Sequence, residues 1–402
     1  MSTEENTKFV PQLRFPEFLG APGWTPKELG DCLDYLQPTQ FLVSSTSYSD
    51  NYQIPVVTAG KTFILGYTNE TDGVFKYPLP VIIFDDFTTA SQFVNFPFKA
   101  KSSAMKILLA KKNSNIKFIY ESMQGIEYEV GAHGRHWISA YSKIVLAVPE
   151  LIEQQKIADC LSSLDELIVS QGRKVDALKT YKKGLMQQLF PREGETQPRF
   201  RFPEFQAAGE WEETRLGKLG KLVSGLTYSP DDVRESGLLV LRSSNVQNSE
   251  ITLDDCVYVD PSIKGANLSQ PEDILICVRN GSKALIGKCA LIPQGMPLCT
   301  HGAFMTVFRA DTPSFVFQLF QSDRYQKQVA GDLGATINSI NGSQFLKYEF
   351  MVPKPAEQKR IANFLVSLDA LITAANQELD TLKTHKKGLM QQLFPISEAM
   401  EL

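Results

Sequence analysis

A few acidic, histidine and asparagine residues in the first half of the sequence have side chains that could perform catalysis. Asp85 and Asp86 follow an apolar run and could hold a metal ion, and His133 and His136 lie in a glycine-punctuated loop. No Glu-x-Lys partner stands near the aspartates, and neither cysteine nor acid accompanies the histidines, so a strand-end turn and an ordinary loop explain them better. Asn95–Phe98 differs by one residue from the Asn-Pro-Pro-Phe/Tyr motif of amino-methyltransferases, but no glycine-rich cofactor turn accompanies it.

The sequence also lacks a phosphate-binding GxxxxGK[ST] loop and a nucleophile elbow. It therefore gives no positive sign of catalysis, and we expect no metal ion and no cofactor in this chain. A duplicated hydrolase or nuclease that uses Asp85, Asp86 and the histidines remains the enzyme alternative. It is weakened because only the first half of the chain has such a cluster.

The same half concentrates positive charge in a way that suits binding to phosphate groups. Between Phe87 and Tyr120 there are six lysines and no acid, although the whole chain has a net charge of −4. Clustered lysine and arginine provide the electrostatic part of nucleic-acid binding. The competing explanation is a solvated lysine face over core phenylalanines. The DNA-binding residues predicted in this half are Lys61, Asn69, Lys99, Lys101, Ser102, Ser103, Lys106 and Arg135.

The second half repeats this chemistry with different residues. Ile274 to Ala310 is again free of acids, and arginine, asparagine and serine follow the predicted strands Leu238–Leu241 and Asp273–Val278. A polar loop, Thr336–Ser343, precedes the last predicted helix. Such side chains at strand ends contact phosphates and base edges, although each alone is also an ordinary turn residue. The residues predicted here are Arg242, Asn245, Arg279, Asn280, Ser282, Lys283, Lys288, Asn338 and Asn341.

An internal repeat supplies the elements that must position these loops. Lys182–Pro191 (KKGLMQQLFP) recurs as Lys386–Pro395, and the correspondence, at an offset of 204 residues, extends back to Val148 and Val352. Apolar residues recur every three or four positions in both copies, which predicts two long helices with a coiled-coil seam. About 36 residues at 1.5 Å each give a length of roughly 54 Å. The predicted helix-pairing residues are Ile157, Leu161, Leu164, Ile168, Val175, Leu178, Leu185, Leu189, Ile361, Leu365, Leu368, Ile372, Leu379, Leu382, Leu389 and Leu393.

So narrow an apolar strip cannot be buried by one helix, so we expect the two copies to pack on each other. An antiparallel, intramolecular pair would relate the two halves by a pseudo-twofold axis; the alternative is two dimerisation helices in a homodimer. The identical pairs Lys182-Lys183 and Lys386-Lys387 include positions expected to face outward. They suggest one partner docking twice, unless the segment was copied recently.

A shorter repeat marks the start of each variable block. Arg14–Phe18 (RFPEF) recurs as Arg201–Phe205, whereas the blocks that follow do not align by eye. The 402 residues allow two or three domains, and no apolar run reaches the roughly 18 residues of a membrane span. The N-terminus is polar, and the six cysteines show no metal-binding spacing. These features predict a reduced, cytoplasmic protein without a membrane segment.

The repeated motifs resemble those of the specificity subunits of type I restriction–modification systems. They comprise Phe-Pro-Glu-Phe, the Glu-Gln-x-x-Ile-Ala opening of each helix, Leu-x-x-Leu-Asp-x-Leu-Ile, and Lys-Lys-Gly-Leu-Met-Gln-Gln-Leu-Phe. Within the blocks, Gly281-Ser282, Ile286–Ala290 and Ser339–Asn341 resemble elements of the family's target-recognition domains. The first block resembles another class of these domains through Thr58–Lys61, Phe63–Asn69 and Phe84–Phe87.

The resemblance implies an α+β fold, with two recognition domains of mixed α/β character separated by two long antiparallel helices. The implied domains are residues 1–147 and 192–351, with helical segments at 148–191 and 352–402. Each domain would read half of a bipartite, asymmetric site in double-stranded DNA, and the helices would fix the gap and dock two methyltransferase subunits. S-adenosylmethionine would then bind to those partners, and ATP with magnesium to restriction subunits that join them in defence against foreign DNA. A pure assembly scaffold is the non-DNA alternative.

Overall fold

The structure is a computed structural model that describes residues 9–129, 135–333 and 338–395. His133, and Thr336 with Ile337 of the predicted polar loop, lie outside the described residues. The chain forms two compact units, residues 1–172 with 377–402, and residues 173–376. Among the described residues, no helix combines the length and apolarity needed to cross a membrane.

The first unit contains nine described strands and three short helices before the first long helix. These elements are β1 (Thr25–Glu28), α1 (Leu29–Cys32), β2 (Leu33–Leu36), β3 (Ile54–Val57), β4 (Ile64–Thr68), β5 (Val81–Asp85), β6 (Ser91–Val94), β7 (Lys99–Ala100), β8 (Met105–Ala110), α2 (Ile116–Gln124), α3 (His136–Ser139), β9 (Val145–Val148) and α4 (Leu151–Leu189). The strand orders are β2-β8-β5-β6, β4-β3-β7 and β1-β9. All of these pairs are antiparallel except β3 with β7, which is parallel.

The second unit begins within α4 and ends within the second long helix. Its elements are β10 (Glu212–Arg215), β11 (Gly220–Ser224), β12 (Val233–Arg234), β13 (Leu238–Leu241), β14 (Val246–Gln247), β15 (Glu250–Ile251), β16 (Tyr258–Val259), β17 (Ile274–Cys277), β18 (Cys289–Leu291), β19 (Cys299–His301), β20 (Met305–Ala310), α5 (Pro313–Phe320), α6 (Asp323–Asp332), α7 (Gly342–Phe345), β21 (Glu349–Val352) and α8 (Pro355–Leu393). The orders are β11-β20-β17-β18, β12-β16-β13-β19, β10-β21 and β14-β15.

The two variable blocks share a strand arrangement although their sequences do not align by eye. The sheet β2-β8-β5-β6 corresponds to β11-β20-β17-β18, and the parallel pair β3-β7 corresponds to β13-β19. Backbone hydrogen bonds match as well: Lys101 N donates to Val57 O at 3.1 Å, and Gly302 N donates to Leu241 O at 3.0 Å. The sequences have therefore diverged on a common framework.

Strands buried on both faces explain the short continuous apolar runs. In β5, Ile82 and Phe84 enter one hydrophobic core and Val81 and Ile83 enter another, because successive side chains point to opposite faces. The equivalent strand β17 divides in the same way, with Ile274 and Ile276 on one face and Leu275 and Cys277 on the other. In each unit, one of these cores includes residues of α4 and α8.

The contacts of the two long helices confirm the antiparallel intramolecular pair. In the first unit, Ile157 and Leu161 from the start of α4 share a core with Leu393 at the end of α8. In the second unit, Leu189 at the end of α4 shares a core with Ile361 near the start of α8. Both helices have 39 residues, slightly more than the predicted length, and α8 begins at the expected Pro355.

Partly buried ion pairs between the two long helices account for the identical lysines Lys182 and Lys386. Lys182 Nζ lies 2.5 Å from Asp369 Oδ1, and Lys386 Nζ lies 2.7 Å from Asp165 Oδ1. These four residues are equivalent under the 204-residue offset, so the repeat preserves the same helix–helix contact twice. Lys182 and Lys386 therefore face the opposite helix, at positions that continue the three- and four-residue spacing of the seam. Lys183 and Lys387 are exposed, as expected for the outward members of the two lysine pairs.

The Arg-Phe-Pro-Glu-Phe motifs anchor each variable block to the start of a long helix. Arg14 donates two hydrogen bonds to Glu153, both of 2.7 Å, and Arg201 donates two to Glu357, of 2.8 and 2.7 Å. The carboxylates of Glu153 and Glu357 are buried. Trp24 Nε1 also donates to Glu153, at 3.2 Å. The motif and the Glu-Gln opening of each helix are therefore one structural feature.

Candidate nucleic-acid interface

Strand directions bring three loops of the second unit together at the strand ends of two sheets. Strands β13 and β19 run parallel, so the segments that leave their carboxyl ends, 242–245 and 302–304, start at the same edge. Strand β17 is antiparallel to β20 with Cys277 opposite Met305, so the segment after β17 also leaves there. We call residues 242–245, 278–282, 302–304 and 338–341 the second loop edge.

Hydrogen bonds hold the segments of this edge together. Asn280 Nδ2 donates to Ser243 Oγ at 3.2 Å, which joins the loops after β17 and β13. Arg279 forms an isolated β-bridge with Ser339, and Asn338 Nδ2 donates to Gly281 O at 3.3 Å. Residues that are far apart in sequence thus lie on one surface, which includes Arg242, Asn280 and Asn338.

The predicted residues of the second unit differ in how exposed their side chains are. Arg279, Ser282 and Lys283 are exposed, and Arg242 is half-buried with a 2.7 Å ion pair to Asp255. Lys288 Nζ donates to Val246 O at 3.1 Å.

Two of the predicted asparagines have structural hydrogen bonds. Asn245 is fully buried, and its amide group donates to Thr252 O and Asp255 O at 3.0 Å. Asn341 is exposed but caps α7, accepting from Ser343 N at 2.9 Å. The burial of Asn245 favours a structural role, because its side chain is shielded from solvent and already satisfied.

The first unit has an equivalent edge formed by segments 58–61, 86–88 and 101–104. Lys61 and Ser103 on it are exposed, and Lys101 and Ser102 are half-buried. Arg135 is exposed and immediately precedes α3, whose first amide, His136 N, donates to Asp86 O at 2.9 Å. Asn69 lies elsewhere, because Thr68 pairs with Ile54 at the opposite end of β3. We call these segments, with Arg135, the first loop edge.

Two predicted lysines of the first unit are inside the fold. Lys99 is 4% exposed, and its Nζ lies 2.6 Å from Glu70 Oε2 and 2.7 Å from Asp72 O. Lys106 is 1% exposed and pairs with the equally buried Asp86 at 3.3 Å. A buried, paired ammonium cannot reach a phosphate without breaking that pair, so both positions favour a structural role.

The Lys99–Glu70 pair gives a pH prediction. The hydrogen bond from Lys99 is the largest cause that lowers the pKa of Glu70 from 4.5 to about 2, and the Ser45 amide adds to it. A lowered folded-state pKa contributes stability above pH 4.5 that is lost as the pH falls towards 2. We expect Glu70→Gln to lower the free energy of unfolding by about 1 kcal/mol at pH 6. The free energy of unfolding of this variant should also decline less steeply towards pH 3 than that of the wild type. Urea unfolding from pH 3 to 6 would measure this, with the exposed Glu127→Gln as control; equal pH slopes in wild type and Glu70→Gln would contradict it.

The candidate catalytic residues of the first unit also have structural partners. Asp85 Oδ1 accepts hydrogen bonds from Phe87 N at 2.9 Å and Thr88 N at 2.8 Å, as a turn residue does. Asp86 Oδ1 accepts from Trp137 N at 2.8 Å and so caps α3. Within residues 9–129, 135–333 and 338–395, no group of three or more His, Cys, Asp or Glu is placed to hold a metal ion.

The fold is that of a specificity subunit. It matches the crystal structure of the type I restriction–modification S subunit from M. genitalium with a TM-score of 0.64, covering 96% of this chain and 99% of that one at 15% identity. Residues 208–384 match the family model described as type I restriction modification DNA specificity domain.

Sequence relatives carry the same family name. The chain is 31% identical over 378 residues to the EcoR124I/EcoR124II specificity subunit of Escherichia coli, covering 89% of each. It is 29% identical over 194 residues to the EcoKI specificity subunit of Escherichia coli strain K12, covering 46% of this chain and 41% of that protein. The chain belongs to the specificity subunits of type I restriction–modification systems. These are DNA-recognition components and not the catalytic subunits.

Proposed function

We propose that the two units read the two halves of a bipartite, asymmetric site in double-stranded DNA. The observation that carries this proposal is the pair of loop edges, which arise from the same strand connections but present different side chains. Two units with the same strand arrangement can bind DNA in the same way. Different side chains at equivalent positions of the two loop edges can then contact different base sequences. Residues 1–147 and 192–351 would be the two target-recognition domains.

We assign DNA contact first to the accessible members of the predicted set. In the first unit they are Lys61, Lys101, Ser102, Ser103 and Arg135. In the second unit they are Arg242, Arg279, Asn280, Ser282, Lys283 and Asn338. Burial leaves Lys99, Lys106 and Asn245 as supports of these loops. Asn69 is a weaker candidate because it lies away from the first loop edge, and Lys288 and Asn341 are weaker because they hydrogen-bond within the chain.

We further propose that α4 and α8 set the gap between the half-sites and dock two modification subunits. S-adenosylmethionine would be bound by those partners, and ATP with magnesium by restriction subunits in the full cytoplasmic complex. Docking twice on one chain is supported by outward residues that are identical in both copies. Leu167 and Leu371 are equivalent under the 204-residue offset. Their side chains are apolar, yet they are 56% and 58% exposed.

Methylation mapping tests the proposal directly. Single-molecule sequencing of DNA from cells with and without this gene should show methylated adenines that depend on the gene and lie in one two-part motif. Methylation that does not change with the gene would contradict it. An assembly scaffold would show no salt-sensitive DNA binding even with the modification subunits added.

Arg279 provides a residue-level prediction. Its exposed guanidinium on the second loop edge can donate two hydrogen bonds to a guanine or contact phosphate. We expect Arg279→Ala to weaken binding of the cognate duplex by about 1–3 kcal/mol in the complex with modification subunits. Fluorescence anisotropy at fixed salt would measure this. Arg234→Ala is the matched control, because exposed Arg234 lies in β12, near the start of β13 and away from the edge; equal losses for both variants would exclude a specific role.

A further inference from the structure

An exposed phenylalanine on the second loop edge was not among the residues selected from the sequence. Phe304 is 59% exposed, whereas Met305, Val307 and Phe308, which follow it in β20, are at most 2% exposed. Many apolar side chains of this chain are exposed singly, but Phe304 lies on the second loop edge, where contact with a bound ligand would bury it. The signal in the sequence is an aromatic after Gly302-Ala303 within an acid-free stretch.

The backbone around Phe304 is held by hydrogen bonds on both sides. Phe304 O accepts from Val278 N at 3.0 Å and from Arg279 N at 3.1 Å. Ala303 N donates to Leu226 O at 2.8 Å, and Met305 N donates to Gly302 O at 2.8 Å. The ring therefore projects from a fixed base, which is what a side chain that discriminates between ligands needs.

Arg279 limits what the ring can contact. Its guanidinium carbon lies over the Phe304 ring, 5.8 Å from the centroid, in a cation–π arrangement. With one face covered, the ring is poorly suited to insertion between base pairs, where both faces stack on bases. Its open edge and second face suit an apolar contact, and the thymine methyl group is the apolar feature of the major groove.

We infer that Phe304 is a specificity-determining residue that contacts the 5-methyl group of a thymine beside the base contacted by Arg279. This inference rests on the proposed function and adds the chemistry of one subsite. The first unit has no aromatic residue at the equivalent position. Its Asp86 N donates to Ala104 O at 3.1 Å, as Val278 N donates to Phe304 O in the second unit. Ala104 is therefore the equivalent of Phe304. Methyl recognition by this position should therefore be confined to one half-site.

The test compares thymine with uracil, which differs only by the absence of that methyl group. The cognate duplex, once mapped by methylation, is prepared with uracil in place of each thymine in turn. Affinity is measured for complexes of the full chain with its modification subunits. For wild type we expect a loss of about four-fold at one thymine position in one half-site, as burial of one methyl group implies.

Two variants complete the test. Phe304→Ala should bind the thymine duplex roughly ten-fold more weakly and no longer distinguish thymine from uracil at that position. Phe304→Leu, which keeps an apolar group, should retain part of the discrimination. Leu298→Ala is the matched control, because Leu298 is 61% exposed but precedes β19 at its opposite end, and it should behave as wild type.

Unchanged discrimination in Phe304→Ala would overturn the inference. So would a wild type that is insensitive to uracil at every thymine, or half-sites without thymine. These results differ from failure of the proposed function, in which wild type would show no preference for the mapped duplex over an unrelated one.

Discussion

Replacing Glu153 by glutamine is expected to lower the free energy of unfolding by about 3–5 kcal/mol, because it leaves a buried arginine without its counter-ion. The side chains of Arg14 and Glu153 are 5% and 3% exposed, and two hydrogen bonds of 2.7 Å join them. Trp24 would also lose the charged acceptor of its indole N–H. Urea unfolding followed by tryptophan fluorescence and circular dichroism would measure the change. Glu357→Gln should have a comparable effect through Arg201.

The chain contains a matched control for this ion pair. Glu17 and Lys156 form a 2.9 Å pair one helical turn away, but their side chains are 46% and 50% exposed. Glu17→Gln should therefore lower the free energy of unfolding far less than Glu153→Gln does. The double variant Arg14→Met with Glu153→Leu should recover much of the loss, because no uncompensated charge stays buried. A Glu153→Gln protein as stable as Glu17→Gln would show that the anchor is not needed for folding.

Replacing Leu167 and Leu371 together by aspartate is expected to weaken assembly with modification subunits by at least about 100-fold. An aspartate in a buried apolar contact must be desolvated without a partner, which costs several kcal/mol per site. Both leucines are more than half exposed in the chain, so the stability of the isolated protein should change little. Size-exclusion chromatography with light scattering, and titration calorimetry, would measure assembly.

Single variants and a neighbouring residue make this test specific. Leu167→Asp alone and Leu371→Asp alone should each leave one modification subunit bound. Val169→Asp is the control: Val169 is 51% exposed, but two residues further along a helix it points to the opposite side, and its equivalent is Thr373. Normal assembly by the double leucine variant, or equal loss with Val169→Asp, would place the docking surface elsewhere.

The helices were the most predictable part of the molecule, for a local reason. A periodic apolar strip requires a partner, and two strips of the same length and register in one chain provide it. Ile157, Leu161, Ile361 and Leu393 are accordingly buried. Lys182 and Lys386 continue the same spacing, but the sequence did not identify the carboxylate opposite each of them. Asp369 and Asp165 are those carboxylates, and both lie at a distance in sequence.

Loop residues were harder to assign, because composition does not reveal which side chains are already paired. Lys99 and Lys101 are two residues apart in the same acid-free stretch. Lys99 is buried against Glu70, whereas Lys101 is partly accessible on the first loop edge. The acid that neutralises Lys99 precedes it by 29 residues and lies outside the stretch, so local charge counting could not include it.

By itself the sequence determined the duplication, the long helices and, through the repeated motifs, the family, since all of these depend on residues that recur at fixed spacing. The sequence predicted that the helices pair within the chain, and the shared cores of the tertiary structure decided this against a homodimer. The tertiary structure decided which polar residues share a surface. Strand β13 lies beside β19 and β17 beside β20, so Arg242, Arg279 and Phe304 meet at one edge although up to 62 residues separate them. That proximity depends on strand order and direction, which are set by long-range backbone hydrogen bonds and which no local pattern of side chains encodes.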